Sequence, residues 1–315
     1  MEDLPKNRLG FAKWLVAHEN PLAARVLVNR AWSAFFGTGI VKTVDDFGLQ
    51  GEAPSHPELL DWLAVACMDQ DAWSVKELHR RIVSSSTYRQ SSQVPVGSRP
   101  QDPDNRLLGF FPRQRLEAEV LRDSYLAMSG KLSTKMGGAP VKPPQPKGVT
   151  EDAYGSPKWN PSAGEDRFRR SIYTKIKRTA PFAMFSTFDA PSGESCVARR
   201  PKSNSPLQAL TLLNDPMIVE LAVASGERAI QAETREALDA LFRSVLTRAP
   251  SELEREALLA FLEQQIAEFR DAPENADKLL GTVAKNKSPG EKAAIAAWAA
   301  LTRALFALDE TQTKG

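Results

Sequence analysis

Residues 20–37 read NPLAARVLVNRAWSAFFG, and they predict a helix whose two ends are written into it. Asn20 offers a side-chain oxygen to an amide that the first turn leaves unpaired, and Pro21 gives up an amide that would have had no partner there. The helix is expected to run to Phe36, where Gly37 can take the left-handed conformation that ends it. Upstream, residues 6–17 set Leu9, Phe11, Trp14 and Leu15 on roughly one side at helical spacing. Downstream, Ser55 with Glu58 and Ser74 with Glu77 read as capping boxes, each ahead of an apolar stripe: Leu59, Leu60 and Leu63, then Val75, Leu78 and Ile82. Beyond a polar, proline-bearing stretch at 91–104, a helix over 115–129 carries Leu116, Val120, Ser124 and Ala127 on one face. The first 130 residues therefore read as a helical array.

The pattern breaks at residues 137–166, where glycine and proline recur from Gly137 to Gly164 and deny a regular hydrogen-bond ladder. This is expected to be a long exposed loop, and its Tyr154 and Trp159 favour one that packs or binds. Next, Ile172, Thr174 and Ile176 alternate with Tyr173, Lys175 and Lys177, the period of a short strand. An irregular stretch at 188–205 leads into a helix over 206–213, which Asn214, Asp215 and Pro216 break while starting the next. Residues 234–247, 251–269 and 289–308 read as helices, with capping boxes at Ser251 with Glu254 and Ser288 with Glu291. The expected fold is mainly α, a helical array with long irregular Pro/Gly-rich loops and at most a small β element near 171–177. The expected domains are a helical core at 1–232, holding the insert 137–166 and a basic, aromatic segment 167–215, and a C-terminal helical region at 233–315 packed on it.

With 41 basic and 39 acidic residues the formal charge is +2, so overall charge argues neither for nucleic acid nor for a membrane surface. No run of about 18 apolar residues occurs. Glu2, Asp3, Lys6, Arg8 and Lys13 interrupt the region where a signal peptide would need an apolar stretch. Met1 runs almost at once into an amphipathic pattern, which is compatible with a piece of a longer chain. Cys67 and Cys196 can form at most one bridge and are expected to be free, buried thiols.

The richest chemistry lies between Arg167 and Asp215, where Arg169, Arg170, Arg199 and Arg200 mix with Tyr173 and four phenylalanines. Guanidinium groups grip phosphate or sulfate in pairs while rings offer flat faces. The competing reading is a solvated face whose arginines pair with nearby carboxylates, and it is the favoured one. Gln208 and Asn214 are expected to satisfy backbone groups of the adjoining loops. Asp189 and Glu194 are a weak candidate for an acid and base pair. Cys196 beside Arg199 and Arg200 has an electropositive setting that favours a thiolate, although packing is the preferred role. In the N-terminal helices, Arg25, Asn29, Arg30 and Trp32 are polar or amphipathic groups on a segment otherwise fit for burial, and an internal ion-pair network with Asp45 and Asp46 as partners of the arginines is expected. His18, His56 and His79 show no metal-ligand spacing, so no metal site is expected. The ligand-binding candidates are Arg169, Arg170, Tyr173, Asp189, Arg199, Arg200, Gln208 and Asn214; no catalytic residue is assigned.

Four phrases extend beyond local structure: NPLAARVLVNRAWSAFFGTGIVKTVDDFGLQGEAPSHPELLDWLA, LHRRIVSSSTYRQSS, RLEAEVLRDSYLAMSGKL and FDAPSGESCVARRPKSNSPLQALTLLNDP. They resemble the domain of unknown function 1553, or PSD domain, of large exported planctomycete proteins, over nearly the whole chain. The usual Asn-Glu-Phe near the family's terminus is replaced by Leu308, Asp309 and Glu310. The resemblance implies an upstream cytochrome-c-like region, a second domain of unknown function, and a periplasmic or cell-surface location. This chain has no Cys-x-x-Cys-His, so any c-type haem would attach upstream. On this reading the chain is a non-catalytic binding or scaffold domain whose expected partners are those upstream regions, with an extracellular polysaccharide as a further candidate. The alternative is an enzyme domain acting on extracellular carbohydrate with the upstream haem; nucleic acid is an unfavoured partner.

Overall fold

In the computed structural model, residues 4–94, 102–146, 148–149, 159–178 and 180–315 are described. Contacts gather them into two units, one ending at Gln114 and the other spanning Arg115–Lys314. The fold is mainly α, as the periodicity predicts, with strand confined to the two-residue pieces β1 (Gln114–Arg115) and β2 (Thr313–Lys314) among the described residues.

The first unit holds α1 (Arg8–Leu15), α2 (Ala23–Phe36), α3 (Pro57–Asp69) and α4 (Val75–Val83). Asn20 Oδ1 accepts from the amides of Leu22 and Ala23 as expected, while regular helix begins only at Ala23, two residues after the proline. Gly37 closes α2 in the left-handed region at φ 78°. Trp32 and Phe36 stack at 4.3 Å, and Tyr88 meets Phe36 and Phe111 edge-on. Leu60, Leu63, Leu78 and Ile82 close the core around these rings.

Two expectations fail here. Ser55 does not cap α3: Pro57 takes the first helical position, which puts Glu58 one residue too early for a box, and Ser55 Oγ turns to the Ile40 carbonyl. The ion pairing of Arg25 and Arg30 with Asp45 and Asp46 is also absent. Arg25 pairs instead with Asp61 at 2.7 Å, Arg30 is exposed, and Asp46 accepts from the Gly48 amide. Asn29 is fully buried and pairs with both backbone groups of Val41 at 2.9 Å, an uncharged solution to the same burial problem.

The second unit contains α5 (Ala118–Met128), α6 (Ala183–Thr187), α7 (Pro206–Asn214), α8 (Pro216–Ala229), α9 (Thr234–Leu246), α10 (Glu252–Asp271), α11 (Pro273–Leu280), α12 (Pro289–Phe306) and α13 (Asp309–Gln312). Ser251 and Ser288 form both expected capping boxes. The centre is α12, whose buried residues include Ile295, Ala296, Trp298, Leu301 and Phe306, so apolar groups surround it rather than line one side. It lies against α8, α10 and α11. Its alanines and Gly226 of α8 let the backbones approach closely: a Cβ at Gly226 would stand 2.6 Å from the Ile295 carbonyl oxygen. Since α8 lies before residue 232 and α12 after it, the contacts run straight across that position. No single helix among the described residues is long and apolar enough to cross a membrane.

Candidate functional site

The site is built on α5, and Arg122 shows how. Its side chain is fully buried, yet it donates to the carbonyls of Arg169 at 2.9 Å and Arg167 at 3.0 Å and to Ser171 Oγ at 3.2 Å. Burial pushes this guanidinium down to about 10, opposed by the carboxylates of Asp123 and Asp215. On the adjoining face, Asp123 Oδ1 accepts from the Ser171 amide at 2.7 Å. Side chains of α5 thus take up backbone groups that a neighbouring strand would otherwise pair.

For that reason the alternation at 172–177 does not make a strand. Ser171–Tyr173 is a turn of 3₁₀ helix, followed by a lone bridge from Thr174 to Val141. Thr174 is buried, whereas Ile172 and Ile176, its expected companions on an inner face, are 76% and 71% exposed. The stripe assigned to α5 is likewise turned outward: Val120 and Ala127 are exposed, and the buried side is Ala118, Leu121, Arg122, Tyr125 and Leu126. Tyr125 can be buried because its hydroxyl donates to the Phe306 carbonyl at 3.0 Å.

Between α5 and the 170–176 segment opens a cleft of about 480 Å³. Glu119, Val120 and Asp123 line one side, and Arg170, Ile172, Lys175 and Ile176 the other, with Phe182 and Phe185 among the apolar groups. Its charges face each other in pairs. Arg200 Nη1 lies 2.6 Å from Glu119 Oε2 and 3.3 Å from Glu117 Oε2, and Arg170 Nε lies 3.7 Å from Asp123 Oδ2. Burial works against the Arg200 charge, but the Glu119 hydrogen bond and the two carboxylates more than offset it and raise the guanidinium. Thr174 also lines the cleft, and its buried hydroxyl has no protein partner.

The family model described as "Protein of unknown function (DUF1553)" matches residues 7–262. The chain belongs to that family. No curated protein and no solved structure matches it. The match to DUF1553 includes α5, the cleft and the loops around it.

Within this DUF1553 chain the eight candidate residues separate into four pairs. Arg170 and Arg200 line the cleft. Arg169 and Tyr173 instead organise the glycine-rich loop. Arg169 is buried, donates to the carbonyls of Lys135, Gly137 and Ala139, and lies 3.8 Å over the Tyr173 ring, while the Tyr173 hydroxyl accepts from the Gly137 amide. Asp189 and Gln208 form a clasp with Ser203: Asp189 accepts from the Ser203 amide at 2.7 Å and from its hydroxyl, and Gln208 Nε2 donates to Ser203 Oγ and the Thr187 carbonyl, both at 3.0 Å. Arg199 and Asn214 are exposed and stand outside the cleft lining, with Asn214 donating to the Leu210 carbonyl.

The neighbouring expectations resolve similarly. Arg167 pairs with Glu220 at 2.8 Å, so Arg167, Arg170 and Arg200 are answered by carboxylates and Arg169 by backbone carbonyls. In the loop at 137–166, Trp159 donates to the Pro143 carbonyl and stacks with Phe182, while Tyr154 lies outside the described residues. Cys67 is free and buried as expected; Cys196 is free but exposed, because the loop that carries it presents nothing to bury it. Glu119, Asp123 and Thr174 escaped sequence reasoning. The four-residue spacing of Glu119 and Asp123 was the available signal, since it puts two carboxylates on one helix face.

Proposed function

We propose that the chain is a non-catalytic binding domain and that its cleft takes a neutral polar ligand with an apolar face, for which a saccharide segment is the fitting class. The observation that carries this is the self-neutralised wall beside exposed isoleucines. Glu117, Glu119 and Asp123 stand against Arg170, Lys175 and Arg200 in one lining, and both arginines already contact a carboxylate. Such a surface has little net pull on a polyanion. A sugar hydroxyl, by contrast, can accept from an arginine and donate to its carboxylate at once, while Ile172 and Ile176 offer contact to C–H faces. The hydroxyl of Thr174 gives a further polar point in the same lining.

Calorimetric titration of the purified chain with neutral and sulfated oligosaccharides, each at low and high salt, tests the reading. Neutral sugars are expected to bind with little salt dependence. Binding by sulfated sugars alone, lost at high salt, would overturn it, as would no binding by either set. Three carboxylates in one cleft also support a second reading, hydrolysis by a pair of acids; new reducing ends after incubation would decide for that reading.

We propose the exported setting on the strength of the family resemblance alone: a periplasmic or cell-surface protein in which a c-type haem region and a second domain of unknown function accompany this one. The haem would attach outside residues 1–315, which lack Cys-x-x-Cys-His. Mass spectrometry of the native protein, read for covalent haem and for the mature N-terminus, checks both points.

A further inference from the structure

The loop from Ala190 to Lys202 is closed at its base. Asp189 grips Ser203 through the amide and the hydroxyl, Gln208 holds the same hydroxyl, and the Ala190 amide donates to the Phe185 carbonyl at 2.9 Å. Between these anchors Pro191 to Arg199 are exposed, which is the form of an Ω-loop. The loop nevertheless walls the cleft: Ala190, Pro191 and Gly193 line it together with Thr174 and Phe182. Near its far end Arg200 reaches across to α5, where it pairs with Glu119 at 2.6 Å and Glu117 at 3.3 Å.

We propose that residues 190–202 are a strap over one side of the cleft, latched shut by Arg200 on Glu117 and Glu119, and that access to the cleft is governed by this latch. The inference rests on the binding reading for the identity of what passes, but the opening of the strap is a property of the chain alone. An arginine on two carboxylates at a half-exposed site holds a loop most of the time and still releases it thermally. The Asp189 clasp is separate from the latch, so the loop can swing without losing its base.

The two cysteines make the motion measurable. In the full chain carrying Cys196→Ser, Thr174→Cys places a thiol in the cleft, and because the Thr174 hydroxyl has no protein partner the exchange breaks no hydrogen bond. Its modification by a neutral aromatic disulfide is compared with that of Cys67, a buried thiol of the other unit. Adding Arg200→Ala is expected to speed the cleft thiol by about threefold to fivefold, the worth of a partly exposed ion pair, with Cys67 unchanged. Arg200→Lys, which keeps the charge but not the fork, should fall between, and high salt should reproduce part of the gain. Equal rates with and without Arg200 overturn the latch, and so does acceleration of both thiols together. In the otherwise native chain, a nitroxide on Cys196 must also become more mobile in Arg200→Ala; an unchanged line shape overturns the strap. If the latch controls the cleft thiol but no sugar binds, the binding reading fails and the gate stands.

Discussion

Arg122 holds Arg169 by its backbone: the Arg122 Nη1 donates to the Arg169 carbonyl at 2.9 Å, and both side chains are almost completely buried. Arg169 passes the order on to the carbonyls of residues 135, 137 and 139. One buried cation therefore fixes the segment that forms one side of the cleft. Arg122→Met should lower stability by about 2–4 kcal/mol, since it strands carbonyls that accepted charged hydrogen bonds. Chemical denaturation gives the loss, and Arg122→Lys should recover only a small part because an ammonium cannot reach three acceptors in a fork.

Ile172 and Ile176 separate binding from folding. Both are largely exposed in the cleft lining, so Ile172→Asp should change stability by less than about 0.5 kcal/mol. The same change should weaken neutral-sugar binding about tenfold or more by removing the apolar ledge and unbalancing the charge. Calorimetry and thermal melting on one preparation check both halves; equal affinities would count against the saccharide reading.

In the first unit the corresponding buried device is neutral. Asn29 pairs with both backbone groups of Val41 and is itself inaccessible. Asn29→Ala leaves an amide and a carbonyl without partners and should cost about 2–4 kcal/mol. Asn29→Asp should do no better, because a carboxylate cannot donate to the carbonyl and would be buried as a charge. The denaturation midpoint gives the loss, with Trp32 in the first core and Trp298 in the second as fluorescent reporters.

What the sequence disclosed follows from where the controlling interactions lie along the chain. The boxes at Ser251 and Ser288 bond within three residues, so a local pattern contains the whole cause. The segment 171–177 carries a strand's alternation, but its partners are Asp123 and Arg122, some 48 residues away. No local rule can see that competition, and the amphipathic reading of α5 fails for the same reason. Arg122 looks like a surface residue until the carbonyls it serves are in place. The site was legible as a neighbourhood: Arg170 and Arg200 do reach the cleft, while Arg169, Tyr173, Asp189 and Gln208 turn out to hold the loops that shape it.

Glu254 gives a pH signature. Hydrogen bonds from Arg248 at 2.7 and 2.9 Å, aided by the Ser251 amide and hydroxyl, hold its carboxyl at about 2, against an ordinary value of 4.5. A depressed carboxylate stabilises the fold above its unfolded pKa, and that contribution drains away as pH falls from 4.5 toward 2. Glu254→Gln keeps the capping geometry but cannot titrate. Its stability should therefore fall less steeply than wild type across that window, as acid titration of the denaturation midpoint will show. Asp61, Glu233, Asp239 and Glu291 are likewise held below the ordinary carboxylate range by their hydrogen bonds, so the variant should show a shallower slope rather than a flat one.

Gly226 tests how closely α8 and α12 must approach. A Cβ there would stand 2.6 Å from the Ile295 carbonyl oxygen, which is backbone and cannot swing aside. Helix propensity alone would make Gly226→Ala favourable by about 1 kcal/mol. Overpacking against a rigid neighbour costs about 1–3 kcal/mol, and more once the helices separate. The net change should be destabilising. Gly290→Ala is the control: it also lies in a helix, but nothing stands within 4 Å of its added carbon. That variant should be neutral or stabilised by up to about 1 kcal/mol. Opposite signs for the two substitutions, measured by thermal melting under one buffer, would establish the α8–α12 contact as the tight point of the second unit. If Gly226→Ala proved as stable as Gly290→Ala, the helices would have to lie farther apart than 2.6 Å allows.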